Sequence, residues 1–194
     1  MAQLEEITGV ILAGGQSSRF GSNKALALWH GKPLIQHVTD ALSSVFNDIV
    51  LSTNSPADYR FLKIKMIRDL YHDMGPLAGI HAVLHHTGKP WIFVAGCDMP
   101  AVTPDLITCL CGYTKEEFEA VLPWLAAGPE PLCGLYHKTA LAKIEMQLKI
   151  GKVKLKELAE KLSVRKVGET ELRKVPGGLL VFSNINRPLD LERL

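Results

Sequence analysis

The chain has 194 residues, of which 47% are hydrophobic and 22% are charged, and its formal net charge is +2. These values are typical of a globular domain, and they exclude a disordered chain or a small scaffold that needs disulfides to fold. So small a net charge gives no reason to expect a nucleic-acid partner.

Cysteine usage and hydropathy indicate the compartment. The four cysteines form no C-x-x-C pair and no zinc spacing, so we expect reduced thiols in a reducing compartment. No apolar run approaches the length of a membrane span, and the first apolar run leads directly into glycines rather than into a signal-peptide cleavage site. We therefore expect a cytoplasmic protein with no membrane partner.

Strand-like and helix-like segments alternate over the first 110 residues. Continuous apolar runs predict strands, and apolar residues at helical spacing predict helices. The predicted strands are 8–12, 48–52, 64–67 and 91–95, and the predicted helices are 33–45, 56–61, 76–84 and 104–110, the last with Thr103 as its N-cap.

The second half of the chain is less regular. Two strands are predicted at 120–125 and 132–136, a helical region with a break near Gly151 at 137–161, a strand at 178–184 and a helix at 189–194. Buried strands that alternate with helices predict an α/β fold, a Rossmann-like three-layer sandwich with a mostly parallel sheet and helices on both faces. No linker or repeat divides the chain, so we predict one domain over residues 1–194.

Polar residues follow the first four predicted strands. The first strand ends in a glycine loop, the second in Thr53-Asn54, the third in Arg68-Asp69 and the fourth in Gly96-Cys97-Asp98. Ligands of open α/β sheets bind at the carboxyl ends of the strands. If these strands are parallel, their ends meet on one side of the sheet, and we expect a binding site there.

The glycine loop lies in "GVILAGGQSSRFGSNKAL", residues 9–26. Gly14 and Gly15 let the backbone approach a ligand closely, and Arg19 and Lys24 add positive charge. This combination suits a polyphosphate, although the spacing is neither that of a P-loop nor G-x-G-x-x-G. The alternative interpretation is an ordinary tight turn between a strand and a helix.

"LAGGQSSRFGSNKAL" closely resembles L-A-G-G-x-S-x-R-M-G-x-D-K-A-L, the signature of molybdenum cofactor guanylyltransferases, which belong to a nucleotidyltransferase superfamily with a Rossmann-like fold. The blocks "HGKPLIQHV", "STN", "IRD", "GPLAGI", "GCDMP" and "FSNINRPLDL" also resemble family blocks, in the family's order. Two positions depart from the signature: Phe20 replaces Met, and Asn23 replaces Asp. The change at Asn23 removes a negative charge near the expected phosphates.

The resemblance implies transfer of GMP from GTP to the terminal phosphate of molybdopterin, with release of pyrophosphate and with Mg²⁺ as the metal. We expect residues from 1 to about 110 to form the nucleotide-binding half and those from about 111 to 194 the acceptor half. The family passes its product to molybdoenzymes, so transient docking to these enzymes or their chaperones is also expected.

The resemblance assigns roles to the charged residues near the predicted strand ends. Lys24 is expected to contact the triphosphate and stabilise developing charge, and Arg19 to clamp a phosphate. Asp98 matches the metal-binding position, and a carboxylate suits Mg²⁺. The alternatives are a solvated lysine at Lys24 and a turn-stabilising carboxylate at Asp98.

Further residues match nucleotide or pterin positions of the family. They are the backbone of Leu12, Ala13, Gly14 and Gly15, the side chains of Asn54 and Asp69 for base or ribose, Gly75 and Gly79 of "GPLAG" beside the guanine, and Asn184 and Asn186 near the pterin. The alternative for the four polar side chains is that they shape local turns.

Two other functions remain open at this point. One is a transferase that uses CTP or that acts on a sugar phosphate, against which "GPLAG" and the C-terminal asparagines argue by analogy. The other is a non-catalytic nucleotide or cofactor carrier of the same fold. Asn23 favours the carrier, whereas the presence of both Lys24 and Asp98 favours an enzyme.

Overall fold

An eight-stranded sheet forms the centre of the molecule in the computed structural model, which describes residues 4–14 and 23–182. The strands are β1 (Ile7–Leu12), β2 (Leu28–Trp29), β3 (Lys32–Pro33), β4 (Ile49–Ser52), β5 (Lys65–Ile67), β6 (Trp91–Gly96), β7 (Ala120–Leu125), β8 (Gly128–Pro129), β9 (Cys133–His137) and β10 (Val164–Gly168). The helices are α1 (Leu34–Ser43), α2 (Gly75–His86), α3 (Pro104–Cys111), α4 (Leu141–Lys149), α5 (Leu155–Ala159) and α6 (Glu169–Leu172). Short 3₁₀ helices cover Leu4–Glu6, Lys24–Leu26, Pro56–Leu62, Lys138–Ala140 and Gly178–Phe182.

The strand order of the eight-stranded sheet is β10-β7-β9-β6-β1-β4-β5, and β8 pairs with β7. β2 and β3 form a separate antiparallel pair. β1 pairs in parallel with β4 and β6, and β4 pairs in parallel with β5. β9 is antiparallel to both β6 and β7, while β10 is parallel to β7. β7 and β10 therefore run in the same direction as β1, and the carboxyl ends of six strands share one edge of the sheet, which we call the carboxyl edge.

Helices cover both faces because the central strands are buried on both sides. All residues of β1 and β6 are buried, and successive side chains belong to different core clusters. Ile11 packs with residues of α1 and α3, whereas Val10 packs with residues of α2 and α4. This arrangement confirms the predicted three-layer α/β fold with a mostly parallel sheet.

Local sequence signals explain where several elements begin and end. The Thr103 hydroxyl accepts a hydrogen bond from the Leu106 N–H and caps α3, as predicted. Gly151 has a φ of +71° and lies in the break between α4 and α5, where the sequence predicted one. Along the part of the chain given above, no helix is both long and apolar enough to cross a membrane.

The prediction of a strand at 178–184 is wrong for the residues that can be checked. Gly178–Phe182 is a 3₁₀ helix, and Val181 and Phe182 pack on the core cluster of α1 and α3. A short apolar run fits a buried strand and a buried helical turn equally well, so its hydrophobicity could not distinguish them. Residues 183–184 and the helix predicted at 189–194 lie outside the described residues.

Candidate functional site

Backbone hydrogen bonds join four strand ends at the carboxyl edge. Beyond β1, the Ala13 N–H donates to the Ser52 carbonyl of β4 at 3.0 Å, and the Cys97 N–H donates to the Leu12 carbonyl at 3.1 Å. The Thr53 N–H donates to the Ile67 carbonyl of β5 at 2.9 Å. The polar residues that follow these strands are therefore brought together, as the sequence predicted from their positions.

Lys24 and Asp98 form an ion pair at this edge. The Lys24 Nζ lies 2.8 Å from the Asp98 Oδ2, and the two side chains are only 15% and 27% exposed. Partial burial reduces screening by water, so the charges act strongly on a ligand placed beside them. The arrangement presents an ammonium group and a carboxylate to the same small volume.

Gly96 leaves room for the Asp98 carboxylate. A Cβ on Gly96 would lie 2.7 Å from Asp98 Oδ1, too close for any side chain to be accommodated without movement. No group of three or more His, Cys, Asp or Glu side chains able to hold a metal occurs among residues 4–14 and 23–182. Mg²⁺ commonly takes one or two protein carboxylates and completes its shell with phosphates and water, so a single accessible carboxylate fits that metal.

Asp69 connects the ends of β4 and β5. Its carboxylate accepts hydrogen bonds from the Ser52 hydroxyl at 3.1 Å and from the Asn54 amide at 2.9 Å, and its own N–H donates to Asn54 Oδ1 at 3.2 Å. This reciprocal pair fixes both side chains. Asn54 is exposed, so a ligand at the carboxyl edge can reach the pair.

Two glycines bring backbone close to this network. A Cβ on Gly14 would lie 3.9 Å from Asp69 Oδ2, and one on Gly79 would lie 2.7 Å from the Ser52 Oγ. Gly79 therefore allows the first turns of α2 to pack directly on the ends of β1 and β4. Gly75, at the start of α2, has a φ of +62°, a conformation that favours glycine.

A cavity of about 560 Å³ opens beside Asn54. This volume lies within the range that binds small molecules in proteins. The 3₁₀ helix at 56–62 and the residues of β5 form much of its wall. The lining residues are Asn54, Ser55, Pro56, Ala57, Asp58, Arg60, Met66 and Arg68.

Cys97 lies between the strand end and Asp98 but has no nucleophilic character. Burial, with a smaller contribution from the negative charge of Asp98, raises the pKa of the Cys97 thiol to about 12. The thiol therefore stays protonated near neutral pH and cannot act as a thiolate nucleophile. The reactive features of the site are the Lys24–Asp98 pair and the surrounding hydrogen-bonding groups.

The structure brings many of the predicted site residues to one edge and leaves some undescribed. Those that lie together are Leu12, Ala13, Gly14, Lys24, Asn54, Asp69, Gly79 and Asp98, and Gly75 begins α2 four residues before Gly79. Those that lie outside the described residues are Gly15, Arg19, Asn184 and Asn186.

Sequence reasoning missed two parts of the site. Ser52 is 2% exposed and connects Asp69 to α2, yet only its place at the end of a buried strand marks it. Tyr59 binds Asn23, 36 residues earlier, and no sequence pattern indicates that contact.

Comparison with known proteins places the chain in a family. Residues 9–167 match the MobA-like NTP transferase domain. The molybdenum cofactor guanylyltransferase of Desulfosudis oleivorans is 37% identical over 191 residues, which cover 98% of this chain and 95% of that protein. A probable molybdenum cofactor guanylyltransferase of a Geobacillus species is 33% identical, with 97% and 98% of the two chains covered.

A solved structure is similar over nearly the whole chain. It is the crystal structure of molybdopterin-guanine dinucleotide biosynthesis protein A from Archaeoglobus fulgidus, with a TM-score of 0.84, 31% identity, and 96% of this chain and 95% of that chain covered. Its fold matches the α/β sheet described above. The chain belongs to the MobA-like NTP transferase family and is a nucleotidyltransferase.

Proposed function

We propose that this nucleotidyltransferase transfers GMP from GTP to the terminal phosphate of molybdopterin, with Mg²⁺, and releases pyrophosphate. The observation that carries the proposal is the Lys24–Asp98 pair, 2.8 Å apart at the carboxyl edge where six strand ends meet. The names of the relatives support guanylyl transfer and a molybdopterin acceptor. The "GPLAG" segment at the start of α2 supports GTP over CTP.

The reaction needs positioning and charge neutralisation more than a strong base. A terminal phosphate oxygen of the acceptor attacks the α-phosphorus of GTP, a new P–O bond forms, and the bond to the β-phosphate oxygen breaks. The attacking oxygen is already anionic. Pyrophosphate leaves with the electron pair of the broken bond, so the balance requires no oxidant or reductant.

Lys24 is proposed to supply the positive charge that the phosphates require. Its ammonium group lies at the carboxyl edge, beside the end of β6, where it can contact the triphosphate and stabilise the charge that develops on the leaving group. Asp98 is the residue that would hold Mg²⁺, which when bound neutralises part of the phosphate charge. Arg19 is proposed to clamp a phosphate bidentately.

The nucleoside is assigned to the β4–β5 side of the edge. Asp69 and Asn54 hold each other in place there and offer a carboxylate and an amide to a base or ribose. The glycines at 14, 15, 75 and 79 give backbone groups access to the nucleotide. Asn184 and Asn186 are proposed to bind the pterin.

We also propose how the chain is divided, in which compartment it works and which proteins it contacts. Residues from 1 to about 110 form the nucleotide half, and those from about 111 to 194 form the acceptor half. The protein works in the cytoplasm and docks transiently with molybdoenzymes or their chaperones.

Thermal unfolding with GTP, CTP, ATP or UTP, each with Mg²⁺, tests the nucleotide assignment. A ligand at 100 times its Kd stabilises the fold by about 2.7 kcal/mol. For a chain of this size that corresponds to a rise of roughly 5–10 °C in Tm. We expect the rise with GTP alone, and a smaller one in Lys24→Ala.

Release of pyrophosphate from GTP in the presence of molybdopterin then tests the reaction itself. A rise with CTP in place of GTP would assign the chain to a cytidylyltransferase. Binding of GTP without pyrophosphate release would instead support a non-catalytic carrier.

A further inference from the structure

The Asn23 side chain starts the helical turn that carries Lys24. Its Oδ1 accepts a hydrogen bond from the Ala25 N–H at 3.2 Å and so caps the 3₁₀ helix at Lys24–Leu26. The same oxygen accepts a hydrogen bond from the Tyr59 hydroxyl at 3.1 Å. The Asn23 Nδ2 also lies within donating distance of the Tyr59 hydroxyl oxygen, at 3.0 Å. The Asn23 amide therefore ties the Lys24 turn to the 3₁₀ helix at 56–62.

Tyr59 is held in place by burial, so its contact with Asn23 has a defined position. The residue is 3% exposed and packs in the core cluster of α1 and α3. Burial raises the pKa of its hydroxyl, so Tyr59 remains protonated and able to donate near neutral pH. Its hydroxyl reaches out of the core to the edge of the site.

Asp58 and the Ala25 N–H together set which way the Asn23 amide faces. The Asn23 Nδ2 donates to Asp58 Oδ2 at 3.3 Å. A carboxylate only accepts hydrogen bonds and a backbone N–H only donates them, so the amide nitrogen faces Asp58 and the amide oxygen faces Ala25. The Tyr59 hydroxyl can bond to either amide atom. The three groups form a single consistent arrangement.

We propose that Tyr59 and Asp58 are positioning residues that hold Lys24 for catalysis through Asn23. The inference rests on the proposed GMP transfer. The lysine side chain is long and flexible, so the place of its ammonium group depends on how firmly its backbone turn is held. A small displacement of a catalytic group costs much of its effect on rate.

The same arrangement accounts for Asn23 where the family signature has Asp. In this chain Asp58 supplies a carboxylate on the opposite side of the contact, 3.3 Å from the Asn23 amide nitrogen. An Asp at position 23 would place two negative charges at that distance, which is unfavourable. Combining Asn23→Asp with Asp58→Asn would exchange the two side chains and restore one carboxylate and one amide at this contact.

Kinetics of four variants test the inference: Tyr59→Phe, Asn23→Asp, Asp58→Asn and the exchange variant that combines the last two. For Tyr59→Phe we expect kcat to fall about tenfold while the KM for GTP changes by less than about threefold, because the Asp69 and Asn54 contacts stay intact. Asn23→Asp should lower kcat by about tenfold or more, and the exchange variant should return it to within about threefold of the wild type.

Thr8→Val is the matched control. Like Tyr59, Thr8 is buried and its hydroxyl donates a hydrogen bond, in this case to Asp48 Oδ2 at 2.9 Å. Thr8 lies near the opposite end of β1. Its loss should lower stability without changing kcat. A kcat for Tyr59→Phe within about twofold of the wild type, or an exchange variant no better than Asn23→Asp, would overturn the inference.

A second measurement separates this inference from the proposed function. In the ¹H–¹³C spectrum of protein with ¹³C-methylated lysines, the Lys24 signal is assigned by its loss in Lys24→Arg. Tyr59→Phe should shift that signal, and Thr8→Val should not. Absence of GMP transfer by the wild-type enzyme overturns the proposed function, and the spectrum then decides the positioning inference by itself.

Discussion

Lys24 and Asp98 are 74 residues apart in the chain, yet the lysine Nζ lies 2.8 Å from the aspartate Oδ2. Lys24 follows the glycine loop after β1, and Asp98 follows β6, which pairs directly with β1. Pairing of the two strands in parallel brings their carboxyl ends to the same place. Sheet order therefore brings the two segments to the same edge, and the Asn23 contacts hold the turn that carries Lys24.

Lys24→Ala should reduce GMP transfer by about 10²–10³-fold, because it removes a partly buried positive charge from the phosphate site. The measurement is kcat/KM for GTP under steady-state conditions. Lys32→Ala is the matched control, since Lys32 forms a 2.6 Å pair with Asp40 in which both side chains are more than 40% exposed. Loss of activity in both variants to the same extent would show that the effect is not specific to the site.

Gly79→Ala should destabilise the fold although alanine favours helices. The new Cβ would lie 2.7 Å from Ser52 Oγ and 2.9 Å from Leu12 Cδ2, and overpacking of this kind costs about 1–3 kcal/mol. We expect a lower Tm and weaker GTP binding, because the ends of β1 and β4 must move. Gly88→Ala is the control, since nothing lies within 4 Å of its added Cβ. An unchanged Tm in Gly79→Ala would contradict the tight packing of α2.

Stability should fall as the pH drops below about 6.5. Burial lowers the pKa of His81 on α2, and its Nδ1 is buried with no hydrogen-bond partner among the described residues. Below the ordinary pKa the unfolded chain gains a proton that the folded chain resists, so the free energy of unfolding decreases until the lowered pKa is reached. Above about 6.5 both states hold a neutral ring and the effect is absent.

His81→Leu should weaken this pH dependence. The groups around His81 are Tyr71, whose ring it meets edge-on, His85 and His86 on its own helix, and Glu145 and Lys149 on α4. Urea unfolding at pH 7 and pH 5 gives the change in the free energy of unfolding with pH. Part of it should remain, because burial also lowers the pKa of His137. His85→Gln, at an exposed neighbour, should keep the wild-type slope, and an equal loss in both variants would contradict the assignment.

The thiols should differ in reactivity. Burial raises the pKa of Cys97 and of Cys111 to about 12 and also raises the pKa of Cys133, so these thiols react slowly near pH 8. Cys97 and Cys109 are both partly exposed, and burial raises the pKa of the Cys109 thiol less than that of Cys97. Cys109 should therefore react first with a disulfide reagent, with the rapid phase lost in Cys109→Ser. Rapid modification of Cys97 in the native protein would contradict the environment described for it.

The ends of β1, β4, β5 and β6 could be predicted from the sequence because periodicity and polar residues mark them. Lys24, Asn54, Asp69 and Asp98 each follow a buried strand or its loop, and parallel pairing brings such positions together. The bond between Ser52 and Asp69 could not be predicted in the same way. It depends on the register of β4 with β5, in which Ser52 pairs with Ile67, and local sequence does not determine that register.

The last third of the chain was harder to predict. β10 contains Arg165 and Lys166, and these charged residues do not fit the apolar pattern that predicts a strand. Both cations nevertheless have partners in the structure. Arg165 lies over the Tyr113 ring, and Lys166 Nζ lies 3.9 Å from the centroid of the Trp124 ring. These contacts are made across neighbouring elements, so charge content alone could not show that an edge strand would form there.

β9 enters the sheet against the direction of β6 and β7, and this gives the two sides of the carboxyl edge different freedom to evolve. On the side of β1, β4 and β5, the loops lead into helices that pack on the sheet. On the other side, residues 126–132 lead from β7 through β8 into β9. Lys156 of α5 and Glu169 of α6 bond to the backbone of this hairpin at Ala127 and Ala126, so its side chains can change while these helix contacts remain. Sequence change is therefore easier in this hairpin than among the polar residues that bond to one another at the ends of β1, β4, β5 and β6.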